Sequence, residues 1–119
     1  MTEFERTMLD NAINQVHSEA DANGLAIAVI KLCDGMPNSD AVFEMSEKKL
    51  LATLINHEVK TAKHPCFGNI RKTLRNDLDA QLKEEAGWLE FVENSTENFR
   101  KSIVVDLEVR FAEFRLSSN

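Results

Sequence analysis

Apolar residues return at every fourth position from Phe4 through Met8, Ala12 and Val16 to Ala20, with Leu9 and Ile13 beside them. Positions four apart share a face only on a helix, so the spacing predicts an amphipathic helix over residues 2–22 whose stripe needs a core to cover it. Thr2 and Glu5 have the spacing of a capping box at its start, and Asn23 with Gly24 supplies a left-handed stop at its end. With 43% hydrophobic residues in a chain of 119, such a core is available. A chain of this length removes about two-thirds of its unfolded surface from water without disulfide or metal staples, and it forms one domain, residues 1–119.

Beyond that helix the pattern changes. Residues 25–32 (LAIAVIKL) are a continuous apolar run between Gly24 and Cys33-Asp34-Gly35, which predicts a strand covered on both faces, with a short buried helix as the alternative. Residues 34–40 (DGMPNSD) carry turn chemistry and predict a loop, after which residues 41–45 return as a second short strand. Ser46 is expected to cap a helix running to about Lys63, with Leu50, Leu51, Leu54, Ile55, Val59 and Ala62 on its apolar face. Pro65 and Gly68 break the chain, and Asn69 then caps a helix in which Ile70, Leu74, Leu78 and Leu82 step by four to about Glu85. Gly87 interrupts before a further apolar turn containing Trp88, Leu89 and Val92.

The last segment alternates. Val105, Leu107, Val109 and Phe111 fall on one side of an extended chain, and Asp106, Glu108 and Arg110 on the other. Wound as a helix, the segment places Arg100 and Arg110 inside the apolar arc of Phe99, Ile103, Leu107 and Phe114, which weighs against that reading. A strand is therefore expected over residues 102–112, continuing to Leu116 past a bulge at Ala112, with one wet face and antiparallel pairing; helix is the alternative. The expected fold class is α+β: a small helix-rich domain in the order α-β-β-α-α-β, its two- or three-stranded sheet packed against helices, with an all-α fold as the alternative.

The net charge of −6 repels polyanions as a whole but is unevenly spread. Residues 1–45 hold eight acids and two bases, residues 46–75 two acids and seven bases, and residues 76–119 ten acids and five bases. On a helical wheel Lys49, Asn56, Lys60 and Lys63 share a side, with Thr53, His57 and His64 adjacent, while Arg71 and Arg75 are neighbours on the next helix. These cations, Lys49, Lys60, Lys63, Arg71 and Arg75, are candidates for an anion-docking patch. They serve equally as a solvated face that neutralises the acidic segments. Trp88, among acids, is a candidate interface anchor or else core.

Catalytic signatures are sparse. His57, His64 and Cys66 match no zinc spacing, and no Cys-x-x-Cys occurs, so neither metal nor cofactor is expected. Cys66 with a histidine is the one nucleophile pair to consider, and Glu84 and Glu85 are expected to be solvated. The N-terminus has no secretory pattern and the longest apolar run is too short to span a bilayer, so the expectation is a cytoplasmic protein without membrane contact. These features favour a non-enzymatic binding protein acting by stoichiometric contact with another protein, as inhibitor, immunity-type protein or adaptor. The alternative is a nucleic-acid-associated regulator using residues 46–75. Dimerisation through a sheet edge is left open.

Overall fold

Helix α3 is the element around which the chain is arranged, and its neighbours come from both ends of the sequence. The computed structural model describes residues 3–32 and 41–114. Among these there are seven helices and no strand: α1 (Glu3–Ile13), α2 (Glu19–Leu32), α3 (Ala41–Thr61), α4 (Phe67–Leu74), α5 (Leu78–Gln81), α6 (Ala86–Glu93) and α7 (Glu97–Phe114). Helix α3 packs on α2, α4, α6 and α7, while α1 covers α2 and α4. The expected α+β class, with its three strands, is thus replaced by an all-helical fold, and no sheet edge is left among the described residues for dimerisation. Thr2, Cys33, the predicted loop at 34–40 and the extension to Leu116 lie outside the described residues.

The first predicted helix is two helices. Its break is set by Ser18, whose hydroxyl accepts the Asp21 N–H at 3.1 Å, while the Asp21 carboxylate accepts the His17 N–H at 2.9 Å. This reciprocal cap starts α2 afresh. Val16 still reaches the core from the connecting turn, which is why the four-residue rhythm runs through the break unaltered. Asn23 and Gly24 then lie inside α2 and do not end a helix.

Residues 25–32 belong to α2, not to a strand. Ala22, Ala26, Val29 and Ile30 are buried, whereas Ile27 and Leu32 face outward, a period that only a helix produces. The small alanines let α2 lie close against α3. The predicted second strand, residues 41–45, is the opening of α3, so Ser46 is an interior helical residue and does not cap. The predicted helix from Asn69 to Glu85 is likewise divided. Asp77 accepts the Ala80 N–H at 3.2 Å, ending the turn after α4 and starting α5.

The predicted strand at 102–112 is helix α7. Ile103, Leu107, Arg110 and Phe111 are buried, while Val105 and Val109 are 59% and 46% exposed, so the alternation in the sequence does not correspond to two faces. The two arginines that weighed against a helix are accommodated by partners. Arg100 donates to the carbonyls of Val92 at 3.1 Å and Ser95 at 2.6 Å, satisfying acceptors at the C-terminal end of α6. Arg110, 3% exposed, donates from Nε to the carboxylate of Glu47 on α3, itself 2% exposed.

Burial raises the Glu47 carboxyl above its ordinary range, and Asp106 and Glu44 push the same way; together they outweigh the hydrogen bond and positive charge of Arg110. Arg110 keeps its proton, and its buried guanidinium is met by the Glu47 carboxylate that accepts from Nε. Removing one member, as in Glu47→Leu or Arg110→Met, is expected to cost about 3–5 kcal/mol in urea denaturation, whereas the double variant recovers most of that loss. A double variant whose loss equals the sum of the two single losses would mean the two residues act independently.

Candidate functional site

The cleft that α3 shares with α2 and α6 begins from a glycine. Gly87 lies within α6 and does not break it, and a Cβ built there would collide with Thr53 Oγ1 on α3. The absent side chain lets the α6 backbone lie against the Thr53 side chain. The opening between these two helices and α2 holds about 660 Å³. Its base is Lys49, Ala52, Thr53 and Asn56 of α3; Ala22, Asn23 and Glu19 of α2 form one wall; and Glu85 with Ala86, Gly87, Glu90 and Phe91 of α6 forms the other. Phe99 of α7 closes one end.

Aromatic rings hold this arrangement. Phe99 stacks on Phe43 of α3 with centroids 5.4 Å apart, Phe91 meets Phe99 edge-on at 6.5 Å, and Trp88 meets Phe91 edge-on at 5.8 Å. The row ties α6 to α7 and α3, and such pairs contribute about 0.5–1.5 kcal/mol each beyond their buried area. Trp88 is 5% exposed and donates its indole N–H to Asp79 at 3.0 Å, so it serves as core and not as an accessible anchor.

Glu85, directly before α6, is buried at the edge of the cleft and not solvated as its sequence neighbourhood suggests. Lys60 Nζ donates to one carboxylate oxygen at 2.7 Å and His57 Nδ1 lies 3.2 Å from the other. An ionised carboxylate only accepts, so His57 carries its proton on Nδ1. Burial alone would raise the Glu85 carboxyl, but the hydrogen bonds and charges of Lys60 and His57 prevail and hold it below its ordinary value of 4.5. The cluster fastens α6 to α3.

The structure separates the five candidate cations. Lys49 is exposed in the cleft and Lys60 is engaged by Glu85. Arg75 turns the other way, its Nε donating to both oxygens of Glu108 on α7 at 3.2 and 3.0 Å. Arg71 is half-buried with its Nε lacking a hydrogen-bond partner, and Lys63 is exposed beyond the end of α3. Cys66 is a free, half-buried thiol whose own backbone N–H donates to Glu58 at 3.1 Å. The His57 ring points to Glu85 on another face of α3. Among the described residues no group of His, Cys, Asp or Glu is placed to hold a metal ion, and no helix is long and apolar enough to cross a membrane.

Asn23, Asn56, Phe91, Asn94 and Phe99 line the cleft but carry no local signature in the sequence. Lys49 stands out in the sequence by its charge, and Gly87 does so as a helix breaker and not as a contact. Compared with protein-family models, curated proteins and solved structures, the chain matches none, so its function rests on the site itself.

Two outcomes follow from this geometry. Gly87→Ala is expected to destabilise the protein by about 1–3 kcal/mol through the clash with Thr53, and Thr53→Ala in the same chain to recover most of it; thermal melting of the four chains checks the coupling. The folded state holds Glu85 ionised below its unfolded range, so its stabilisation is fully present above pH 4.5 and is lost as pH falls through the lowered value. Glu85→Gln should remove about 1–2 kcal/mol near neutral pH, reduced from the buried value because Lys60 is half exposed, and flatten the acid limb of a stability-against-pH curve.

Proposed function

We propose that this chain is a non-enzymatic binding protein of the cytoplasm that acts by stoichiometric contact with another protein, and that the α2–α3–α6 cleft is its contact surface. The carrying observation is the division of labour at the cleft. Its buried carboxylate, Glu85, is committed to a salt bridge that secures α6, while the other side chains lining the opening are mostly amides, hydroxyls and aromatic rings, with Glu19, Glu90 and Lys49 as the charges among them. Such a lining suits recognition by shape and hydrogen bonding. The size and mixed polarity of the opening suit a segment of a folded partner.

Contact with nucleic acid through residues 46–75 is the weaker reading. Lys60 and Arg75 are bonded to carboxylates of the same chain, so a phosphate would have to displace Glu85 or Glu108 to reach them.

Asn23, exposed on the α2 wall, offers a way to fill the cleft without touching the core. Affinity capture with the intact chain, followed by titration with the purified partner, should identify a protein bound at equimolar ratio whose affinity drops by about tenfold or more for Asn23→Trp. Oligonucleotide binding that weakens steeply with salt and is unchanged by Asn23→Trp would overturn the reading in favour of nucleic acid.

A further inference from the structure

The side of α3 that meets α6 differs from the sides that form the core. Leu50, Leu51, Leu54 and Ile55 are buried, whereas Thr53, Asn56, His57 and Lys60 follow one another at helical spacing along the side toward α6 and its approach. All four are polar and none is fully buried. Helix α6 brings little apolar surface to them. Of its eight residues only Trp88 is buried, Phe91 and Val92 are partly so, and Leu89 is 53% exposed.

The two ends of α6 are held by different chemistry. At the far end Arg100 of α7 donates to the carbonyls of Val92 and Ser95, and Phe99 meets Phe91 edge-on. Neither contact gains or loses a proton between neutral and acid pH. At the start the hold is Glu85, whose side chain is 9% exposed and accepts from Lys60 at 2.7 Å, with the His57 ring at 3.2 Å and Gly87 against Thr53 two residues on. Charge-assisted bonds are about twice as strong as neutral ones, so this end is held by an interaction that a proton weakens.

The other charges along the cleft are Lys49 of α3, Glu19 of α2 and Glu90 of α6, and Asp79 of α5 accepts from Trp88. None of them forms an ion pair with Glu85 among the described residues. With Glu85 neutral, His57 and Lys60, three positions apart, are left together on one face without their counter-ion. Because the folded state holds Glu85 below 4.5, this happens only as pH falls through that lowered value, and the start of α6 is secured above it.

We infer that α6 is a hinged wall of the cleft: its start lifts from α3 when Glu85 is neutralised, while its far end stays on α7 and the core formed by α2, α3, α4 and α7 remains folded. The inference concerns the wall itself and holds whichever molecule enters the cleft.

Trp88 is the single tryptophan of the chain and lies in the part that lifts, so it reports the step directly. The experiment is an acid titration of the intact chain followed by acrylamide quenching of Trp88 and by far-ultraviolet circular dichroism. Quenching should rise at least about threefold below pH 4.5 while the helical signal loses no more than the eight residues of α6. Glu85→Gln should show raised quenching already at neutral pH and no acid step. Lys60→Met keeps the carboxylate but removes a cation that favours its charged form, and should move the step to higher pH. Asp79→Asn retains an acceptor for the indole N–H and should leave the step in place. Coincident fluorescence and circular dichroism transitions, a step that persists in Glu85→Gln, or one that is lost in Asp79→Asn would overturn the proposal, as would an unmoved step in Lys60→Met.

Discussion

A carboxylate withdrawn from water must be met by hydrogen-bond donors or cations, and three such groups join α3 to three different neighbours. Glu47 reaches Arg110 on α7; Glu58 accepts from Cys66 N–H at 3.1 Å and Asn69 Nδ2 at 2.8 Å and so holds the start of α4; Glu85, at the start of α6, is held by His57 and Lys60. Apolar burial supplies most of the favourable free energy, since each buried Leu, Ile or Phe contributes about 1.5–3 kcal/mol. It is non-directional, however, and does not tell one helix where to lie on another. The three carboxylates do, because each is costly to bury in any other arrangement.

The same logic explains what was legible in the sequence. The apolar face of α3 at Leu50, Leu51, Leu54 and Ile55, and the chain break around Pro65, follow from local periodicity and backbone chemistry, and both are present. The Ser18 and Asp21 cap was also written locally, but the longer stripe from Phe4 to Ala20 concealed it. Helix α7 was not readable in that way. Arg110 is tolerable on its inner face only because Glu47 is there, and nothing within a helical turn of either residue announces the other. Without that knowledge the alternation of Val105, Leu107, Val109 and Phe111 is the stronger local pattern. In α2 the apolar run reads as a two-sided strand because Ile27 and Leu32 are apolar yet exposed.

The candidate site was less legible than the fold. Lys49 was singled out for its charge and does face the cleft, but Lys60 and Arg75 are spent on the protein's own acids. The residues that shape the opening are a glycine, asparagines and phenylalanines drawn from four helices. Their roles come from a close approach in space, and a glycine that permits such an approach reads locally like one that ends a helix.

The tie between Glu47 and Arg110 spans 63 positions of the chain. An acid on the inner face of α3 is therefore met by an arginine from a helix far along the sequence. Neither charge is buried at that depth without a partner, so the closed core requires α3 and α7 together. The inner faces of these two helices are thus each the condition for burying the other.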